Sequence, residues 1–217
     1  MTRLSQTRLL ITAGATQEPI DSVRFFGNRS SGLLGCQIAL AAAITGIETT
    51  LLLGESAPFP TSHPRLHVHR FSTTRDLEAK LNQYFPSHTT LIMAAAVSDF
   101  TPKGGAKEEK IPRGSTMQLE LVATKDLVAE LSKSKRADQR IIAFALGNSD
   151  TLEHIAKQKL ERKNVDAIVA NPLETMDAST ITATLYCKDG RTFAATKNMS
   201  KTAFADWLIS KLEDICS

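Results

Sequence analysis

A glycine- and serine-rich turn near the start of the chain has the residue types of an anion site. Residues 9–35 have the sequence LLITAGATQEPIDSVRFFGNRSSGLLG, in which an apolar run ends at Gly14 and GNRSSG (27–32) precedes a helical apolar pattern. The first turn of a helix has unsatisfied N–H groups that point at such a turn, and glycine lets a phosphate approach the backbone. Ser30 or Ser31 could instead cap the helix. Because the spacing is not GxGxxG, the pattern alone does not decide between these roles.

Two lysines of a later predicted helix, Lys159 and Lys163, could bind the same anion. Both side chains project within about 20° of Leu152, on the apolar side of that helix. Two ammonium groups four residues apart repel each other, so an anion between them would explain their placement. The alternative is that both cations complement the helix dipole while their aliphatic stems pack on the protein.

Three further polar residues admit both a chemical and a structural role. Lys110 lies in a segment rich in glycine and charge, residues 98–115, where it is either solvated or a mobile cation over developing phosphate charge. Asp99 either caps the following segment or accepts a hydrogen bond from a ligand. Asn28 either holds a left-handed turn or donates to an oxyanion. The five histidines lack metal-ligand spacing and are expected at the surface, and neither a Ser/His/Asp signature nor a P-loop is present.

An alternation of predicted strands and helices positions these residues. Strands are predicted at residues 9–13, 48–53, 66–71, 90–97, 117–122, 140–146, 167–170, 180–187 and 191–196, and helices at 34–42, 75–85, 125–131, 151–163 and 201–215. This order predicts an α/β fold, a doubly wound, mostly parallel Rossmann-like sheet with a late antiparallel β-hairpin at Asp189-Gly190. Ligands of such sheets bind outside the carboxyl ends of the strands. One crevice is therefore expected to collect Gly14, Asn28, residues 95–99 and 144–148, and Asn171.

Composition and charge exclude several classes of protein. The 217 residues carry a net charge of +3, which is too slight to indicate a nucleic-acid surface. Cys36, Cys187 and Cys216 are far apart and odd in number, so neither a disulfide framework nor a zinc site is indicated. The polar N-terminus does not resemble a signal peptide, and no apolar run has membrane-spanning length. We expect a single cytoplasmic domain over residues 1–217.

Four separated blocks of sequence follow the pattern of one enzyme family. ITAGATQEPIDSVRFFGNRSSGLLG (11–35) follows ITAG.T.EPID.VR...N.SSG..G, MAAAVSDF (93–100) is similar to AAVADY, EEKI (108–111) matches the start of a lysine-supplying loop, and KLERKNVDAIVAN (159–171) follows K..RKN.D.IVAN. Together they resemble phosphopantothenoylcysteine synthetase, the ligase of coenzyme A biosynthesis. The bacterial enzyme is commonly fused to a flavin-dependent decarboxylase half, which this sequence lacks. The resemblance therefore implies a stand-alone synthetase, with a separate decarboxylase as a candidate partner.

The resemblance implies a two-step ligation of 4'-phosphopantothenate and L-cysteine. The carboxylate attacks the α-phosphate of CTP or ATP, which gives an acyl-nucleotidyl intermediate and pyrophosphate, and the cysteine amine then displaces the nucleotide monophosphate. Mg²⁺ is implied through the triphosphate, without a protein ligand set visible in the sequence. A homodimer is also implied, with the hairpin at Asp189-Gly190 as the candidate contact.

By position, the resemblance gives each site residue a role. Asn28 would hold the intermediate for the second step, and Lys110 would stabilise charge during activation. Lys159 and Lys163 would grip the triphosphate. The remaining binding residues are Gly14, Ser30, Ser31 and Gly32 of the turn, Ala95 against the ligand, and Asp99 and Phe144 beside the nucleotide.

Three departures from the family pattern concern the nucleotide. Pro112-Arg113 follows Lys110-Ile111 where further lysine is usual, AFALGN (143–148) replaces GFAAET, and Pro172 replaces an aspartate. CTP is favoured over ATP because the asparagine and RKN blocks look bacterial. The alternatives are a non-catalytic nucleotide-binding module of the same fold and, more remotely, an NAD(P)-dependent dehydrogenase, which would need GxGxxG after the first strand.

Overall fold

The structure, a computed structural model, describes residues 6–114, 116–176 and 178–216. Its strands are β1 (Arg8–Ala13), β2 (Gln17–Pro19), β3 (Phe25–Gly27), β4 (Glu48–Gly54), β5 (Leu66–Phe71), β6 (Thr90–Met93), β7 (Phe100–Pro102), β8 (Leu121–Ala123), β9 (Arg140–Gly147), β10 (Ala167–Pro172), β11 (Thr180–Ile181), β12 (Thr184–Cys187), β13 (Thr192–Ala194) and β14 (Met199–Ser200). Its helices are α1 (Leu33–Ile44), α2 (Thr74–Tyr84), α3 (Leu127–Ser134), α4 (Ser149–Arg162), α5 (Lys201–Ser210) and α6 (Leu212–Cys216). Within these ranges, no helix has the length and apolar character needed to cross a bilayer.

Eight strands form one sheet in the order β13-β12-β10-β9-β6-β1-β4-β5. Neighbours from β10 to β5 are parallel, whereas β12 pairs antiparallel with β10 and β13. The predicted mostly parallel α/β sheet with a late hairpin is confirmed. The order reverses around β1 and β6, and a reversal of this kind leaves a crevice at the carboxyl edge of a sheet.

The core has one layer on each face of this sheet because successive strand residues point to opposite faces. Leu9 and Ile11 of β1 pack with α1 and α5, around Phe204. Leu10 packs on the other face with α2, α3 and α4, where Leu77 is fully buried. Both faces are covered, which explains why the central strands are apolar without alternation.

Several predicted element boundaries are wrong. β6 ends at Met93 rather than at residue 97, because the chain then leaves the sheet and Ala96 pairs with Ala15 in an isolated bridge. The predicted strand 117–122 is reduced to β8, which pairs with β7 outside the main sheet. Because β7 lies within residues 98–115, that segment is not all loop. The predicted final helix is divided at Lys211, which caps α5.

One histidine is buried, contrary to the expectation that all five lie at the surface. His88 is 4% exposed, and its Nε2 lies 2.9 Å from the Thr50 hydroxyl while its Nδ1 lies 2.6 Å from the carbonyl oxygen of Tyr84. Desolvation lowers its pKa, which favours the neutral ring. These contacts give His88 a structural role at the end of α2.

Candidate active site

A cleft of about 660 Å³ opens at the carboxyl ends of β6, β9 and β10, beside the N-terminus of α1. Nine of the predicted site residues line it, namely Asn28, Ser30, Ser31, Gly32, Ala95, Asp99, Phe144, Lys159 and Lys163. Gly14 and Lys110 do not line it. The fold therefore brings together residues separated by more than a hundred positions in the sequence.

The α1 side of the cleft is formed by a tightly packed backbone turn. Gly32 is the N-cap of α1 at φ +73°, and α1 has no side-chain cap hydrogen bond. The alternative that Ser30 or Ser31 caps this helix is therefore wrong, because a left-handed glycine makes the turn. The two hydroxyls accept only long hydrogen bonds of 3.4 Å, from the N–H groups of Gly32 and Leu33. Apart from the long Leu33–Ser31 contact, the first turn of α1, which lines the cleft, has no side-chain acceptor for its N–H groups, as an anion site requires.

Gly14 supports this turn from beneath. A Cβ atom on Gly32 would lie 2.8 Å from the Ala57 Cβ and 3.1 Å from the Gly14 nitrogen. Gly14 itself has φ +83° and lies equally close to the backbone of Gly54. Close packing and a left-handed backbone therefore explain why residue 14 is a glycine, and no contact with a ligand is needed to explain it.

Asn28 joins the turn to the segment that follows β6. Its Nδ2 donates to the carbonyl oxygen of Val97 at 2.9 Å. The N–H of Ala95 donates to the buried Thr12 hydroxyl at 3.1 Å, which fixes the same segment from the β1 side. Asn28 and Ala95 thus lie on two loops that are bound to each other across the floor of the cleft.

The opposite wall carries charged side chains from α4 and α3. Lys163 Nζ lies 3.0 Å from both carboxylate oxygens of Asp126, which also caps α3 by accepting from the Ala129 N–H at 3.2 Å. The Lys159 ammonium group has no ion-pair partner in the part of the chain that the structure describes. Desolvation, reinforced by repulsion from Lys163 and Arg162, lowers the pKa of Lys159. Lys159 is therefore a cation whose environment favours the approach of an anion.

Several residues of the cleft were not predicted from the sequence. Arg29, Thr124, Lys125, Asp126, Thr175 and Lys201 line it. Asp126 had a local signal, since aspartate is a preferred N-cap residue and lies at the start of the helix predicted over residues 125–131. Lys201 had none, because it reaches the cleft only through the packing of α5 against α1.

Lys110 lies in an exposed loop outside the cleft, and the turn at Asp21 holds this loop. The Ile111 N–H donates to Asp21 Oδ2 at 3.1 Å. Desolvation would raise the pKa of Asp21, but hydrogen bonds from the N–H groups of Val23, Arg24 and Ile111, together with the Arg24 guanidinium, leave that pKa lowered. The carboxylate is therefore ionised in the folded chain and able to hold several donors.

A second cavity of about 650 Å³ lies between α2 and α3 and shares Lys125, Asp126 and Leu127 with the cleft. None of the predicted site residues lines it. Because it does not reach the carboxyl ends of the central strands, we regard the cleft at α1 as the candidate site.

The carboxylates of the cleft determine whether it could hold Mg²⁺. No group of three or more His, Cys, Asp or Glu side chains suited to a metal occurs among residues 6–114, 116–176 and 178–216. Asp99 and Asp126 are the carboxylates that line the cleft. This small donor set fits an Mg²⁺ ion that arrives with phosphate oxygens, as is usual for nucleotide sites, rather than one held by protein alone.

Comparison with known proteins identifies the family. Residues 4–215 match the DNA/pantothenate metabolism flavoprotein C-terminal domain. The chain belongs to this family. The resemblance inferred from the four sequence blocks is thereby confirmed at the level of the family.

Two relatives and one solved structure show how much of each similar protein this chain covers. A protein named cysteine/cysteine sulfinic acid decarboxylase, from an unknown prokaryotic organism, is 41% identical over 79% of this chain and 47% of its own length. The coenzyme A biosynthesis bifunctional protein CoaBC of Mycobacterium tuberculosis is 34% identical over 96% of this chain and 52% of its own length. The crystal structure of a CoaBC C-terminal domain is 30% identical, with a TM-score of 0.82, and the match covers 99% of this chain and 98% of that one. The chain therefore spans about half the length of the curated relatives it matches.

Proposed function

We propose that this chain is a phosphopantothenate–cysteine ligase of coenzyme A biosynthesis. The observation that carries the proposal is one cleft lined by the N-terminus of α1, which has a glycine at its N-cap, and by Asn28, Lys159 and Lys163. Membership of the family and the match to the C-terminal domain of CoaBC, a bifunctional protein of coenzyme A biosynthesis, support it. The 41% identical relative carries a decarboxylase name, and this chain aligns with 47% of that protein.

In the first step, a carboxylate oxygen of 4'-phosphopantothenate attacks the α-phosphorus of a nucleoside triphosphate and pyrophosphate leaves. The cations of Lys159 and Lys163 bind the triphosphate, and Lys110 stabilises the charge that develops on it. Mg²⁺ bound to the phosphates would neutralise further charge, with Asp99 and Asp126 as the carboxylates nearest at hand. Such a reaction needs positioning and fixed charges rather than a side-chain nucleophile.

In the second step, the amine of L-cysteine attacks the acyl carbon of the intermediate and the nucleotide monophosphate leaves. The amide side chain of Asn28 orients the acyl-nucleotidyl group against the α1 turn. Ala95 packs against the ligand, and Phe144 and Asp99 place the nucleotide. We infer CTP as the preferred nucleotide, with ATP as the alternative, because the asparagine and RKN blocks follow the bacterial pattern. AFALGN (143–148) and Pro172 depart from the family pattern and are the positions at which that preference would change.

Two partners belong to the proposal. The chain would act as a homodimer in contact through the hairpin of β12 and β13, which forms one edge of the sheet. The second partner would be a decarboxylase that consumes the product, as the family resemblance implies and as the bifunctional CoaBC relatives suggest.

The proposal is tested by supplying 4'-phosphopantothenate, L-cysteine and Mg²⁺ with CTP, ATP, GTP or UTP in turn. Pyrophosphate release and amide formation are followed separately. We expect both with CTP, and pyrophosphate without amide when cysteine is omitted. Nucleotide binding without turnover would favour the non-catalytic module, and hydride transfer from NAD(P)H would favour a dehydrogenase.

The role of Asn28 is tested by Asn28→Asp. We expect pyrophosphate to form at a near-normal rate while amide formation slows by about 10- to 100-fold, because a new negative charge faces the anionic intermediate. Rapid-quench measurement of both steps checks this. Equal loss of the two steps would contradict the assignment of Asn28 to the second step.

A further inference from the structure

The turn at Asp21 is the anchor of the lysine-bearing loop. In the described part of the chain, the hydrogen bonds that join residues 106–114 to another segment all go to residues 20–24. The Lys107 N–H donates to the carbonyl oxygen of Ile20 at 3.0 Å. The Arg24 guanidinium donates to the carbonyl oxygen of Ile111 at 3.2 Å. This loop has no regular secondary structure, so its position depends on these contacts.

Asp21 is the centre of that anchor. Its side chain is fully buried. Oδ1 accepts from the N–H groups of Val23 and Arg24 at 2.9 and 2.8 Å, and Oδ2 accepts from Arg24 Nη1 at 2.7 Å and from the Ile111 N–H at 3.1 Å. A buried carboxylate with four donors holds its partners more firmly than a solvated one. Oδ2 therefore fixes Ile111, one residue after Lys110.

The same turn is also joined to the cleft. Asp21 lies in the loop between β2 and β3, and β3 ends at Gly27, immediately before Asn28. Asn28 is in turn hydrogen-bonded to Val97 in the floor of the cleft. One short hairpin thus connects the Lys110 loop to the loop that carries Asn28.

We propose that Asp21 is a positioning residue for the first step of the ligation, which acts by holding the root of the Lys110 loop at Ile111. The proposal rests on the proposed function and adds to it. Asp21 does not line the cleft and has no contact with substrate to make. Its effect on catalysis has to pass through Lys110.

Asp21→Asn tests the anchor, and Glu18→Gln is the matched control. Asparagine keeps one acceptor oxygen for the turn and directs an N–H₂ group at the Ile111 N–H, so the contact with the loop is lost. Glu18 is a buried carboxylate of the same hairpin, 5% exposed, that accepts from the Thr74 N–H at 2.8 Å and does not touch the loop. A hydrogen bond to an ionised acceptor changes a local opening equilibrium by at least about tenfold. We expect hydrogen exchange at Ile111 to accelerate by about that factor in Asp21→Asn and to be unchanged in Glu18→Gln.

A double-mutant cycle with Lys110→Gln separates positioning from general damage. Asp21→Asn should lower kcat for pyrophosphate formation by about 10- to 100-fold with little change in the nucleotide KM. The reason is that a misplaced Lys110 ammonium group stabilises the transition state less, while ground-state binding is little affected. In the Lys110→Gln background the same substitution should cost less than about twofold, because the group through which it acts is absent. Effects that multiply would show a merely structural role and would overturn the proposal.

A second variant keeps the test decisive if Asp21→Asn does not fold. Ile111→Pro removes the same hydrogen bond from the exposed side of the contact and leaves the buried turn intact. It should reproduce the loss in the first step, with faster exchange at Lys107, and unaltered values would overturn the proposal. An inactive wild-type protein would contradict the proposed function alone, whereas unchanged exchange at Ile111 in an active protein would contradict the role of Asp21 alone.

Discussion

The two walls of the cleft are built in opposite ways. The α1 wall is close-packed backbone, where a Cβ atom on Gly35 would lie 2.5 Å from the Ala13 Cβ and one on Gly32 would lie 2.8 Å from the Ala57 Cβ. The α4 wall is formed by long side chains of Lys159 and Lys163, both partly exposed to solvent. The first wall presents N–H groups in fixed positions, and the second presents charges that can move.

Because of this difference, the two walls are expected to contribute differently to binding a polyphosphate. Backbone N–H groups lose no side-chain entropy when they bind, so the α1 wall suits the atoms that must be placed accurately. Lysine side chains adapt to several phosphate positions but change pKa with their surroundings. We expect substitutions on the α1 wall to affect folding and catalysis together, and substitutions on the α4 wall to affect nucleotide binding with little effect on folding.

The largest effect is expected from Gly32→Ala, compared with Gly46→Ala at the other end of α1. Both glycines have left-handed φ values, +73° and +93°, but only Gly32 has neighbours within 4 Å of an added Cβ. The left-handed backbone costs alanine about 1–2 kcal/mol at each site. Crowding at Gly32 should add about 1–3 kcal/mol to the loss of unfolding free energy. Urea denaturation measures both.

Gly32→Ala should also abolish most pyrophosphate formation, whereas Gly46→Ala, far from the cleft, should not. Equal stability losses in the two variants would mean that the turn relaxes at no cost. The α1 wall would then be no more rigid than its partner, and the contrast between the walls would fail.

A smaller effect is expected from Lys159→Met, with Lys163→Met as the comparison. Each loss of a cation at the triphosphate should lower kcat/KM for the nucleotide by about 10- to 100-fold. The free energies of unfolding of the two variants should differ. Lys159→Met relieves a like-charge pair and should gain about 0.2–0.5 kcal/mol, whereas Lys163→Met also loses its ion pair with Asp126 and should gain nothing.

Steady-state kinetics and urea denaturation of both variants check this prediction. Lys157→Met is a useful control, because Lys157 lies on the same helix, is paired with Glu153 and does not line the cleft. Unchanged nucleotide KM and kcat in Lys159→Met would remove the α4 wall from the proposed site.

The central sheet was predictable from sequence because its strands carry long apolar runs. Residues 9–13 and 140–146 were assigned almost to the residue, since a strand buried on both faces has no competing local signal. The edge strand at residues 66–71 was assigned from the rough alternation of LHVHRF instead. The hairpin of β2 and β3 was not predicted. Its strands are three residues each and are held by tertiary contacts rather than by a periodic pattern.

The site was predictable where the rule for the carboxyl ends of strands or the family resemblance applies. The strand-end rule and the family resemblance placed Asn28, Phe144 and Lys159 in one cleft. They could not indicate that Asp126 pairs with Lys163, because neither the strand-end rule nor the family pattern specifies a side-chain contact between α3 and α4. Nor could they place Lys110, whose loop is fixed by a hydrogen bond to a turn 90 residues away.

The smallest effect expected is a difference in pKa between two lysines of α4, which reports directly on the charge of its wall. Desolvation and repulsion from Lys163 and Arg162 lower the pKa of Lys159 below 10.5, although Asp99 and Asp126 oppose this. A hydrogen bond to Glu153 raises the pKa of Lys157 above the same value. Between the folded pKa of Lys159 and 10.5 the unfolded chain binds more protons than the folded one, so Lys159 makes the unfolding free energy rise with pH in that window.

NMR titration of the lysine side chains, with signals assigned by means of Lys157→Met and Lys159→Met, should show Lys159 losing its proton at lower pH than Lys157. Saturating nucleotide should raise the pKa of Lys159 and leave that of Lys157 unchanged, because only Lys159 faces the cleft. If nucleotide moved both values equally, or neither, the α4 wall would not be the side of the cleft that responds to the charge of its ligand.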